Sequence, residues 1–146
     1  MHSNFIFLLA ASLVLATELS NENAVPDSKK LDGPWNVTSV VRNRNELPPE
    51  KLNGLQATFR DGHFAFKMGE KTLTEGTFQL DPGKSPPTID LTSKDANGSA
   101  QKTLAIYDLT GDILSICGAA PGQPRPSEFE ALDGSGHTLT TFQRVK

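Results

Sequence analysis

With 146 residues the chain has room for one hydrophobic core rather than two independent ones. Its 14 Lys and Arg residues against 17 Asp and Glu give a formal charge of -3, without the concentrated basic surface that neutralising nucleic-acid phosphates requires. The one cysteine, Cys117, excludes an intramolecular disulfide, so packing has to hold the fold.

The run from Phe5 to Ala16 is apolar, too short to cross a bilayer comfortably, and followed at once by the polar stretch Thr17 to Asn23. It reads as a signal peptide, Met1 to Ala16, with Val14 and Ala16 as the small residues before a cleavage point after Ala16. No Lys or Arg precedes the run, which leaves an uncleaved anchor as the alternative; the shortness of the run argues against it. Residues 17–30 lack either periodicity and read as a flexible leader. The mature chain is therefore expected to be exported, periplasmic or extracellular, with no stable membrane span.

Over 31–146, short β-branched and aromatic runs are punctuated by Gly, Pro, Asp and Asn, the pattern of an all-β domain with no helix. Trp35 to Arg42 is the first strand, its Trp35, Val37 and Val41 on one face. A polar link containing Pro48 and Pro49 leads to Leu55–Arg60 and His63–Met68. Asp61-Gly62 between these runs is the strongest hairpin signal in the chain, because both residues tolerate the positive φ of a type I′ turn. Leu55, Ala57 and Phe59 should then face Phe64, Phe66 and Met68. In the strand from Thr72 to Leu80, Leu73 lies out of phase with Phe78 and Leu80, and a bulge or bend at Gly76 would reconcile them.

Thr88–Ser93 is the next strand, with a reversal at Asn97-Gly98. Thr103–Leu109 and Ile113–Cys117 then form a hairpin about Thr110-Gly111-Asp112. A connection containing Pro121, Pro124 and Pro126 precedes Ser127–Glu130, a short edge segment, and Thr138–Arg144 closes the chain. Eight principal antiparallel strands suit an up-and-down barrel, which leaves no open edge. A two-sheet sandwich is the alternative that periodicity alone does not separate.

Several of these stretches occur together in one known family: Leu31 to Trp35, Leu52 to Leu55, Gly76 to Pro82, Ile89 to Thr92, Ile106 to Leu109 with Gly111-Asp112, Leu114 to Cys117, Arg125 to Phe129 and Gly134 to His137. In this order the chain resembles the lipocalin-like domain of uncharacterised exported proteins abundant in planctomycete bacteria. The resemblance covers about 30–146 and implies a lipocalin-like barrel in an exported setting. It supplies no activity and no catalytic residues. Gly118-Ala119-Ala120 departs from the bulkier residues expected after Cys117. Gly33-Pro34-Trp35 also resembles the Gly-x-Trp start of lipocalins, which implies a Trp plugging one barrel end beneath an Arg of the last strand. Arg144 is placed to be that Arg, with a stacking energy of roughly 0.5–2 kcal/mol.

Candidate sites are few. His63 borders a hairpin and His137 follows a Gly-rich turn, neither with a partner at catalytic or metal-ligand spacing. Ser115 and Ser135 lack a nucleophile-elbow context. Cys117 alternates with Leu114 and Ile116 and is expected on the opposite face as an inert packing residue. Asp90 and Asp108 are placed on the wet face. Arg125 and Glu128, held in a Pro-restricted segment, read as a local ion pair, with recognition of an anion or partner at the barrel mouth as the functional alternative.

No nucleophile, base and oxyanion group assemble from these residues, so the expectation is a non-enzymatic protein without catalytic residues, cofactor or metal. The leading reading is an exported module that binds a small apolar or amphipathic ligand in its barrel mouth. Phe59, Phe64, Phe66, Phe78, Leu104, Ile106, Tyr107 and Arg125 are the candidate contacts. The other reading is a cell-envelope protein-interaction or inhibitor module that uses the Pro-rich stretch from Ala119 to Pro126. A filled interior would favour interaction, an empty apolar cavity ligand binding.

Overall fold

Strand alternation organises the computed structural model, which describes residues 25–146; the expected signal peptide lies outside the described residues. The strands are β1 (Gly33–Arg42), β2 (Asn45–Glu46), β3 (Leu55–Arg60), β4 (His63–Met68), β5 (Lys71–Asp81), β6 (Thr88–Lys94), β7 (Ala100–Thr110), β8 (Ile113–Gly118) and β9 (Thr138–Arg144). Neighbours in sequence pair antiparallel from β3 to β9, β1 pairs with β3, and β9 returns to β1. The result is a closed eight-stranded up-and-down barrel, with β2 a two-residue appendage on β1. Closure decides for the barrel over the sandwich and removes the open edges.

The turns follow the chemistry of their residues. Asp61 and Gly62 both have positive φ, and the β3–β4 hairpin pairs Leu55 with Met68, Ala57 with Phe66 and Phe59 with Phe64, as the sequence suggests. At the β7–β8 hairpin Gly111 alone has positive φ. Asn43 and Arg44 both take positive φ between β1 and β2, a hairpin the sequence reading misses because Arg is seldom left-handed.

Two bulges correct the expected faces. Val37 pairs with Phe142 and Ser39 with Thr141, so Thr38 is extra and the phase of β1 slips by one residue. Val40, not Val41, therefore joins Trp35 and Val37 in the core. On β5, Phe66 pairs with Thr74 and Lys67 with Thr72, which puts the bulge at Leu73 and leaves that side chain half exposed. Gly76 instead keeps regular pairing with Phe64 and Ser93. Its role is close approach, since a Cβ there would lie 1.9 Å from the Thr92 carbonyl oxygen.

Two short helices also differ from the sequence expectation. α1 (Asp27–Leu31) occupies part of the expected leader, and α2 (Pro49–Leu52) lies in the link after β2. Each is too short to show a helical period and is held by one buried leucine, Leu31 and Leu52. Ser127–Glu130 forms no strand.

The inward residues pack into one cluster that includes Trp35, Phe59, Phe64, Tyr107, Leu114 and Phe142. Phe59 meets Phe78 and Phe142 edge to face, with ring centroids 5.4 and 6.4 Å apart. Such pairs add roughly 0.5–1.5 kcal/mol each beyond area burial.

Candidate functional site

The two barrel ends are built differently, because β1 carries Trp35 near its start and Arg42 at its finish. At the first end α1 lies across the opening. The Trp35 indole N–H donates to the Leu31 carbonyl at 2.9 Å, and the Tyr107 hydroxyl donates to the Asp27 carboxylate at 2.6 Å. Arg144 stacks over the Trp35 ring, 4.3 Å from its centroid, as the Gly-x-Trp resemblance implies. Its guanidinium also donates to the carbonyls of Lys30 at 2.5 Å and Asp32 at 3.3 Å, and meets Asp112 at 3.3 Å. The Lys146 ammonium, 3.1 Å from Asp112, and then Arg144 hold that carboxyl below its ordinary range. Burial, followed by the bond to Asp27, pushes the Tyr107 phenol above its ordinary value. This end is closed by packing and hydrogen bonds.

The second end is open. A cavity of ≈ 420 Å³ enters the barrel there, with Phe66, Leu91, Ile116 and Phe142 as apolar walls and Thr103, Thr138 and Thr140 as polar ones. All of these are inward positions by strand register. Arg42, Asn43 and His137 stand at its rim, with Gly118, Ala119, Ala120 and Pro121 from the end of β8 and the connection that follows. The small residues that depart from the expected bulk here are thus part of the opening. A β-carbon on Gly118 would already touch the Thr103 methyl at 3.2 Å. The rim is tied in place because Arg44 N–H donates to the Ala131 carbonyl at 2.7 Å and Gly134 N–H to the Asn43 side-chain oxygen at 3.1 Å.

Of the eight candidate ligand contacts, Phe66 lines this cavity. Phe59, Phe64 and Tyr107 are instead in the filled core, and Phe78 packs against it. Leu104 and Ile106 point outward, because Ala105 and Tyr107 between and beside them take the interior phase. Ile106 is nonetheless buried, as is Cys117 opposite it, because the long connection between β8 and β9 folds back over this wall. Ala119 N–H donates to the Leu104 carbonyl at 3.1 Å, and the Cys117 thiol approaches the Glu130 carbonyl at 3.5 Å. Burial raises the thiol pKa, in keeping with an unreactive packing role.

Arg125 also sits on the outer wall and not at the mouth. Its guanidinium donates to the Ala105 carbonyl at 2.8 Å and lies 2.7 Å from Asp90. The Asp90 contact is an ion pair without a directed hydrogen bond, since that oxygen receives no donor in line. Its partner is thus Asp90 and not Glu128, and the pair orders the connection. Arg42, Leu91, Thr103, Ile116, Thr138, Thr140 and Phe142 are lining residues that sequence reasoning missed, and His137, set aside there for want of a catalytic or metal partner, joins them; only closure of the barrel brings them together.

Among the described residues no group of three His, Cys, Asp or Glu side chains could hold a metal ion, and no helix is long and apolar enough to cross a membrane. Fold and cavity define a small antiparallel barrel closed at one end and open at the other. Comparisons with protein-family models, curated proteins and solved structures find no match.

Proposed function

We propose that this protein is an exported, lipocalin-like module that binds a small molecule in the open half of its barrel. The observation that carries the reading is the ≈ 420 Å³ cavity, with an apolar floor and a polar rim. Its size falls within the roughly 300–1,000 Å³ of small-molecule sites, which are mostly apolar with a few placed polar groups. The interior is divided: one half is packed solid by Trp35, Phe59 and Tyr107, and the other is left unfilled where Gly118 and Ala119 stand. A barrel that needed only stability would gain by filling that space, since each unfilled volume forfeits dispersion contacts. Nothing comparable supports the protein-interaction reading, because the Arg125 segment of the Pro-rich stretch is engaged with the barrel wall.

Native mass spectrometry of the protein purified from its own envelope tests this reading. A reproducible extra mass of a few hundred daltons, lost on denaturation, is the expected result. A bare chain, or an added protein mass, would count against it.

A further inference from the structure

The rim of the cavity has a chemical polarity that narrows the ligand class. None of its lining residues is an Asp or Glu, whereas Arg42 and His137 both stand at the opening. The Arg42 Nε–H donates to the Thr138 hydroxyl at 3.2 Å, which steers the side chain along the rim. Arg42 is solvent-exposed at the opening, and among the described residues no carboxylate lies within salt-bridge distance of it, whereas Arg144 at the closed end and Arg125 on the outer wall are each paired; Arg44 and Arg60 have no such partner either. The remaining Arg42 N–H groups are therefore donors without a protein acceptor among the described residues. A guanidinium presents its donors in a planar fork that matches an oxyanion such as a carboxylate. Below it, Phe66, Leu91, Ile116 and Phe142 offer hydrocarbon, with the side chains of Thr103 and Thr140 beside them.

We propose that the cavity takes a medium-chain amphiphile with an anionic head, the head held at Arg42 beside His137 and the chain resting on Phe66, Ile116 and Phe142. The proposal rests on the reading of the cavity as a small-ligand site and adds the charge of the ligand to it. Modest volume limits the tail, and the absence of a rim carboxylate disfavours a cationic head, which would meet Arg42 without compensation.

The test is isothermal titration calorimetry of the full mature chain with three probes that share one tail: octanoate, octanol and octylammonium. Octanoate is expected to bind more tightly than octanol by roughly tenfold or more, the scale of a charge-assisted hydrogen bond, and octylammonium most weakly. Arg42→Gln should remove the preference for octanoate and leave octanol binding unchanged. Equal binding of octanoate and octanol by the native protein would overturn the anionic head while leaving the cavity reading intact. Binding of none of the three would overturn both. Because the three-probe comparison is made on the native chain, it stands even where the variant fails to fold.

Discussion

Arg144 serves four partners at once: the Trp35 ring, the carbonyls of Lys30 and Asp32, and Asp112. Its replacement by Ala would uncover the indole and remove one of the anchors of α1, leaving those through Leu31 and Asp27. A loss of roughly 2–3 kcal/mol is expected from these contacts together, read as a lower midpoint in urea with a red shift of Trp35 emission. Lys should recover little of it, because a point charge cannot stack and fork in the same way. At Gly76 the constraint is backbone on backbone. Gly76→Ala drives a methyl into the Thr92 carbonyl, so the variant should be destabilised more than a routine surface change or fail to fold, as circular dichroism melting will show.

Tyr107 gives the fold an alkaline limit. Its phenol is held above the ordinary value near 10, so the neutral form is favoured in the folded state. That contribution is complete below the unfolded pKa of about 10 and declines as pH rises above it toward the folded value. Urea titrations at rising pH should show the loss beginning near pH 10. Tyr107→Phe should flatten this limb and cost roughly 1–2 kcal/mol at neutral pH through the lost bond to Asp27.

At the scale of elements, the connection between β8 and β9 works as an outer layer over β6–β8. Arg125→Ala is expected to weaken that layer, which should show as faster hydrogen exchange at Ala119 and greater labelling of Cys117 by a bulky thiol reagent, while octanoate affinity stays the same. A loss of affinity instead would return Arg125 to the ligand site. What was legible in the sequence follows the same division. Hairpins set by Asp61-Gly62 and Gly111-Asp112 could be read because their turn chemistry is local, and the Trp35–Arg144 stack because a family resemblance pointed to it. The bulge at Thr38 was not legible, and the phase break in β5 announced a bulge without its position, which lies at Leu73 and not at Gly76, since only the partner strand fixes where the extra residue falls. Alternation along β7 puts Ile106 and Tyr107 on opposite faces, yet both are buried, because the connection covering the outer wall is not visible in the period of β7. The rim residues Arg42 and His137 are far apart in sequence and meet only through the pairing of β1 with β9.

For the whole molecule, closure at one end and vacancy at the other are two consequences of one barrel. The α1 plug, Trp35 and Tyr107 supply the packing, and this frees the Arg42 end to remain hollow behind small residues at 118–120. Ala120→Trp should therefore close the mouth, reducing octanoate binding severalfold or more with little change in melting temperature, since the ring would extend over the opening rather than into the core. The most direct test of the account is an NMR titration of the native chain with octanoate, following backbone amides. Shifts concentrated at Thr103, Gly118, Thr138 and Thr140 are predicted, with Tyr107 and Ile106 unmoved. Shifts confined to the outer wall around Leu104 and Arg125, or none at saturating octanoate, would contradict it.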